Sequence, residues 1–290
     1  MARKWSTFEQ VKNLRERFYK ALPGKESVLK TINEAEVPEH VYNSNAIENS
    51  TLSLEETEKI LLEIELERFV TAREIHEAKN LARVTSYIET KAVEQPLSEE
   101  LILLLHKMLL GNIDETIAGR YRQDEEWVRV GSYIAPAPKE VPDLVSGLIT
   151  KNAADDTSHI ITRIASFHLE FEHIHPFCDG NGRIGRVLNN FVLQREGYVP
   201  INIAFADRAK YYDAFKQYDS KQECKIMEEI VGRALTESYH KRLAYLEDKT
   251  IIPLKEFATK EGMSYSNALN KAERQTIEAF QEKGNWKIAI

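Results

Sequence analysis

The sequence predicts a mainly α-helical protein that closes in a small mixed segment of helix and strand, and three observations carry that expectation. Apolar residues recur at three- and four-residue spacing through most of the first 246 positions, the period of a helix that buries one face. Helix-start signals precede several of these runs, as in Ser53-Leu54-Glu55-Glu56 and Ser98-Glu99-Glu100. Strand-forming residues gather at 127–134 and again in the last fifteen or so positions. The expected division is a domain over 1–246 and a second over 250–290, with Glu247-Asp248-Lys249-Thr250 between them.

In chain order, Trp5, Phe8, Val11, Leu14 and Phe18 give a first helix that Pro23-Gly24 ends, and a second runs from about Lys25 to Glu36, stopping before Pro38. Ser44-Asn45-Ala46-Ile47-Glu48-Asn49 reads as a short polar segment ahead of the Ser53 cap. Residues 54–69 and 72–92 are strongly helical, with charged outer faces. A further helix runs from Ser98 to Leu110, where Gly111-Asn112 stops it. Trp127, Val128, Val130, Tyr133 and Ile134 around Gly131-Ser132 predict a short hairpin. Helices follow over 141–153, over Ile160 to Ile174 and from about Asp207 to Leu246. Beyond the boundary, Pro253 to Lys260 and Ser264 to Glu273 read as two short helices, and Thr276 to Phe280 and Asn285 to Ile290 as strands.

Composition narrows the class of protein. With 290 residues, 42% of them hydrophobic, the chain can bury a large core. A net charge of -7 argues against bulk attraction to nucleic acid or an anionic membrane. Two cysteines, Cys178 and Cys224, in no zinc or disulfide spacing, fit a reducing compartment, and no apolar run is long enough to span a bilayer. The expected location is the cytoplasm.

Chemistry concentrates in His175-Pro176-Phe177-Cys178-Asp179-Gly180-Asn181-Gly182-Arg183-Ile184-Gly185-Arg186. Pro176 disfavours the helical conformation at His175, which is expected to be extended. Gly180 and Gly182 permit a tight turn, and Ile184, Val187, Leu188, Phe191 and Val192 predict a helix from Gly182 or Arg183. Free N–H groups at that helix start, joined by two arginines, suit a di- or triphosphate. Asp179 would repel such an anion unless Mg2+ bridged them. His175 has the right ordinary pKa to take a proton near neutrality. His168, His173 and His175 with Asp179 also raise a transition-metal cluster, which the two-residue spacing and the hard oxygen chemistry disfavour.

This run resembles the signature of the Fic family, H-P-F-x-[DE]-G-N-G-R-x-x-R, at every specified position. The resemblance covers roughly residues 1–246 and implies a Fic-type helical bundle that transfers AMP from ATP to a Ser, Thr or Tyr hydroxyl of a protein. It implies His175 as the base, Asp179 as the Mg2+ ligand, Gly180, Asn181 and Gly182 as the anion hole, and Arg183 and Arg186 on the outer phosphates. Ser44 to Asn49 matches the family's inhibitory motif, [ST]-x-x-x-E-[GN], which implies Glu48 paired with Arg186 in place of the γ-phosphate. The hairpin corresponds to the family's flap, on which a protein target would dock around residues 127–136. Tyr211 and Tyr212 fall in the segment that walls the adenine pocket, and Asn190 matches a recurrent asparagine. Where some relatives place asparagine seven residues after the second tyrosine, this chain has Asp219, whose carboxylate accepts from an exocyclic amine but cannot also donate to a ring nitrogen.

Alternatives within the same fold are transfer of another nucleotide or of phosphocholine, removal of AMP, and self-modification. Residues 250–290 resemble a small excisionase-type winged helix-turn-helix. They hold six Lys/Arg against five Asp/Glu, so docking or homodimer contact is expected ahead of DNA binding, which needs phosphate-neutralising cations.

Overall fold

The structure is a computed structural model that describes residues 6–130 and 133–290; Trp5, expected in the first helix, and Gly131-Ser132, expected at the hairpin turn, lie outside the described residues. The helices are α1 (Thr7–Ala21), α2 (Glu26–Ile47), α3 (Leu54–Leu61), α4 (Ala72–Lys91), α5 (Glu99–Leu110), α6 (Val141–Ala154), α7 (Ile160–Ile174), α8 (Asn181–Arg195), α9 (Arg208–Lys221), α10 (Lys225–Leu246), α11 (Leu254–Lys260) and α12 (Tyr265–Glu273). The strands are β1 (Arg129–Val130), β2 (Tyr133–Ile134), β3 (Ile251–Pro253), β4 (Ala279–Glu282) and β5 (Asn285–Ala289). β1 and β2 form an antiparallel hairpin, Val130 opposite Tyr133.

Several expectations are corrected. α2 does not stop before Pro38 but runs through it to Ile47, so Ser44 lies in its last turn and Glu48 just beyond its end. Proline leaves unpaired only the carbonyl four residues back, that of exposed Glu34, which water can serve. The helix expected over 54–69 ends at Leu61: Glu63 adopts a left-handed φ of 59°, and the Ile64 N–H closes the turn on the Lys59 carbonyl at 2.8 Å. The loop that follows is fixed by Arg68, which reaches Glu56 and the Thr51 carbonyl, while Phe69 stands 87% exposed. The last helical region is two helices, separated where Gln222 turns left-handed at φ 56°. β3 is not among the expected strands, and the one expected over Thr276 to Phe280 begins at Ala279.

The residues fall into two compact units. One comprises Val37–Tyr198 and Ile203–Glu228. Within it α8 is buried nearly all round, from Asn181 to Leu193, as a helix must be when neighbours cover every face. Those neighbours are α4, α5 and α7. The other unit gathers the described residues up to Glu36, Val199–Asn202 and Glu229–Ile290. There Arg242 is fully buried and donates to Glu36 at 2.6 Å and to Asn33 at 2.8 Å. Residues 250–290 form a three-stranded antiparallel sheet, order β3-β5-β4, with α11 and α12 and a core that includes Ile252, Leu254, Ala268 and Ile288.

Candidate active site

α7 delivers His175, and burial of Ile161, Ile164, Phe167 and Phe171 fixes which way that helix lies. His175 is not extended: it is left-handed, φ 49° and ψ 61°, and its N–H donates back to the Phe171 carbonyl at 3.0 Å. Pro176 excludes the right-handed helix, as expected, but the chain must also turn sharply out of α7, and buried Arg122 holds that turn. Its guanidinium donates to the carbonyls of His175 at 2.7 Å, Ile174 at 3.1 Å and Pro136 at 2.7 Å.

The loop is clamped from within. Asn181 accepts from the Phe177 N–H at 2.9 Å and donates to the Phe177 carbonyl at 2.8 Å. His106 stacks on Phe177 at 3.7 Å; since its Nδ1 accepts from the Gly119 N–H, its Nε2 donates to the Asp179 carbonyl at 3.0 Å. Burial holds that imidazole neutral by pushing its pKa down to about 4. Gly180 takes φ 82°, and α8 begins at Asn181, a residue or two before its expected start. Gly182 already lies inside α8, so its lack of a side chain serves close approach rather than the turn. A Cβ there would stand 2.0 Å from Glu48 Oε1.

A cavity of about 540 Å³ opens over this loop. His175, Asp179 and Gly180 to Arg183 line it, together with Glu48, Glu172, Arg129, Val130 and Tyr133 of the hairpin, and Tyr211, Tyr212, Phe215, Tyr218 and Asp219 of α9. His175 Nδ1 lies 3.2 Å from the Glu172 carbonyl, an acceptor only, so Nδ1 carries the proton and Nε2 is the basic nitrogen. Burial pushes this imidazole down to about 4.

Arg186 lies behind Glu48. It donates to Glu48 Oε1 at 2.9 Å, to Ser44 Oγ at 2.9 Å, to the Ser44 carbonyl at 2.8 Å and to Tyr211 Oη at 3.1 Å. Burial opposes its charge, but Tyr211, Glu48 and Glu172 outweigh burial and keep it cationic. Tyr211 in turn lies 2.6 Å from His168 Nε2, so its hydroxyl is engaged on both sides.

Asp179 is held by Arg73 at 2.6 Å, Arg183 at 3.0 Å and the Gly180 N–H at 2.6 Å. Glu77 of α4 joins Arg183 and Arg73, each at 3.1 Å, into a four-membered ring of charges. Burial alone would raise the Asp179 pKa, but Arg183 and Arg73 pull it below the ordinary value.

Of the residues singled out in the sequence, Ser44, Glu48, His175, Asp179 to Arg183, Arg186, Tyr211 and Tyr212 come together here. Tyr212 donates to the Ile47 carbonyl at 3.2 Å, and Arg208 lies over its ring. Asn190 is buried in α8, one turn past Arg186 and outside the cavity lining. Asp219 lies 3.1 Å from His173 Nδ1, whose Nε2 meets the Tyr133 hydroxyl at 2.9 Å, so His168, His173 and His175 each face different partners. Arg122, Arg73, Glu77, His106 and Glu172 escaped sequence reasoning; each acts across 50 or more residues or through its burial.

A profile of the Fic/DOC family matches residues 96–193, the span that carries α5 through most of α8. The curated protein adenylyltransferase Fic of Drosophila melanogaster is 31% identical over 232 residues, 74% of this chain and 46% of that one. The chain belongs to the Fic/DOC family. The Fic adenylyltransferase of Nematostella vectensis is 29% identical over 87% of this chain and 58% of its own. This Fic protein thus spans about half the length of those curated relatives. The crystal structure of a Fic domain containing signaling protein from Bacteroides thetaiotaomicron matches with a TM-score of 0.74 and 27% identity, covering 83% of this chain and 98% of that one. The mainly helical Fic fold with its hairpin flap is the one the sequence predicted.

Proposed function

We propose that this Fic protein is a protein adenylyltransferase that moves AMP from ATP to a side-chain hydroxyl of a protein. The observation that carries the reading is the convergence of a neutral imidazole, a glycine-lined helix start and Arg183 on one cavity, with Arg186 directly behind the Glu48 that lines it. His175 Nε2 takes the hydroxyl proton as the oxygen attacks the α-phosphorus; the bond to the β-phosphate oxygen breaks and pyrophosphate leaves. The N–H groups at the start of α8, with Arg183 and Arg186, stabilise charge on the phosphates.

Asp179 suits Mg2+ that arrives with the nucleotide: one hard carboxylate, with no cluster of three or more His, Cys, Asp or Glu among the described residues, leaves most ligands to phosphate and water. When bound, Mg2+ would neutralise phosphate charge. Glu48 occupies Arg186 and the space over Gly182, which supports autoinhibition by competition with a terminal phosphate. The exposed edge of the β1–β2 hairpin is the candidate dock for the target, by strand addition.

No helix among the described residues is long and apolar enough to cross a membrane. Cys178 and Cys224 are free thiols, which agrees with a reducing, cytoplasmic setting. In residues 250–290, two of the six Lys/Arg are tied up locally, Lys260 with Glu256 and Lys287 with Glu282, against five Asp/Glu in the same segment, and we assign the winged helix-turn-helix-like segment to docking or contact between copies.

The test is incubation of the Glu48→Gly protein with each labelled nucleoside triphosphate and Mg2+, followed by mass spectrometry of the adducts. An AMP adduct that His175→Ala reduces by roughly 10²- to 10⁴-fold, with ATP binding retained, is the expected result. Another adduct mass would favour the alternative groups, for which Asp219 is a reason in the base pocket; sustained turnover without His175 would remove it as the base.

A further inference from the structure

Glu172 takes no part in the chemistry above, yet it lies against the base. It precedes His175 by three residues on α7, is 8% exposed, and holds Oε2 at 3.8 Å from His175 Nδ1. Its Oε1 is buried without a hydrogen-bond partner among the described residues. α8 makes room for it with Gly185, where a Cβ would stand 2.7 Å from Oε1 and 3.0 Å from the His168 ring. A buried carboxyl with an unsatisfied oxygen costs stability, so its place beside the imidazole calls for a role.

We propose that Glu172 is a positioning residue for the base: its carboxylate steadies the imidazole from the Nδ1 edge and stabilises the imidazolium formed when Nε2 takes the hydroxyl proton. The catalytic consequence rests on the transferase reading; the coupling between the two side chains does not.

The charged and titratable groups facing Glu172 are Glu48 beyond α2, His168 and His175 around α7, Arg186 on α8 and Tyr211 on α9. Those acting on His175 further include Arg122 and Asp179. Burial first, then Glu48, pushes the Glu172 carboxyl up to about 8, against the pull of Arg186. Below that pH the carboxyl is neutral and His175 stays a weak base; above it, a negative charge 3.8 Å away raises the imidazole's basicity. Activity should therefore climb on an alkaline limb. Removing Glu48 removes a repulsion, so the limb should move to lower pH in Glu48→Gly.

The experiment follows the ¹⁵N resonances of the His175 ring, assigned by their loss in His175→Ala, from about pH 6 to about pH 10 in the full chain. Wild type, Glu48→Gly, and Glu48→Gly with Glu172→Gln are compared, and kcat and KM for ATP are measured on the last two. Expected are an alkaline inflection in wild type, its shift to lower pH in Glu48→Gly, and its absence once Glu172→Gln is added. In that double variant kcat should fall about tenfold at the alkaline end and KM should hold. An inflection that survives Glu172→Gln, or superimposable kcat profiles, overturns the proposal. A protein that transfers no nucleotide but shows the Glu172-dependent shift would sink the transferase reading and uphold the coupling.

Discussion

Arg183 and Arg186 stand one turn apart on α8 with side chains 4% and 8% exposed, and they are satisfied in opposite ways. Arg183 has two carboxylates: Asp179, at the start of its own helix, and Glu77 from α4. Arg186 has one within ion-pair distance among the described residues, Glu48, with neutral Ser44 and Tyr211 completing the set and Glu172 acting only from farther off. A buried guanidinium with two fixed carboxylates belongs to the frame. One with a single carboxylate, itself 34% exposed in its side chain, can exchange that partner for another anion, and if it lost Glu48 with nothing in return its charge would be stranded. Restraint and affinity for the terminal phosphate therefore reside in the same cation, while Arg183 meets phosphate from a fixed place.

The largest effect that tests this contrast should come from Glu48→Gly. A charge-assisted hydrogen bond is worth roughly 1.5–3 kcal/mol, so removing it should raise transfer from ATP by about tenfold to a hundredfold. Neutralising Glu77 should give no such gain, because Asp179 still holds Arg183. Equal activation by both variants in a labelled-ATP assay would erase the distinction between the two arginines.

A sharper test uses Gly182, over which the Glu48 carboxylate lies, with the Arg186 Nη1 3.1 Å from the same point. With Glu48 present, Gly182→Ala must push the carboxylate aside, an overpacking cost of about 1–3 kcal/mol. With Glu48→Gly only the end of the Arg186 side chain stays close, at 3.1 Å, and once released from Glu48 it can give by a few tenths of an ångström, so alanine inside a helix should instead stabilise by up to roughly 0.5–1 kcal/mol. Chemical denaturation of the four members of this double-mutant cycle should show coupling above about 1 kcal/mol; additive values would mean that Glu48 does not rest there.

How much of this arrangement is legible in the sequence depends on the range over which each residue acts. α7 is legible to the residue, because its apolar period and the proline beyond it are local facts. The ends of α2 and α3 are not. Pro38 costs least where, as here, the carbonyl it orphans is exposed, and 62–69 has helical composition but Leu62, Ile64 and Phe69 face outward in the structure. The expectation of an extended His175 fails because Pro176 excludes one region of backbone space without choosing among the others; Arg122, 53 residues away, makes that choice. The twelve-residue signature named its own site residues, but nothing in their spacing announced Arg73, Glu77 or Glu172.

Arg73 gives the smallest expected effect and the last distinction between the two arginines. Its side chain is 56% exposed, and an ion pair in that setting is worth about 0–1 kcal/mol, so Arg73→Ala should leave stability within that margin. Its position matters more than its strength, since it covers Asp179 Oδ2 while Arg183 and the Gly180 N–H take Oδ1. If Asp179 receives Mg2+ with the nucleotide, Arg73 is the partner that must yield, because it is the exposed one and Arg183 is anchored from both sides. The Mg2+ concentration that half-saturates ATP binding, followed by calorimetry in the Glu48→Gly background, should then fall about two- to fivefold in Arg73→Ala. A requirement that rises instead would make Arg73 a phosphate ligand, and the ring around Arg183 would cease to be a fixed frame.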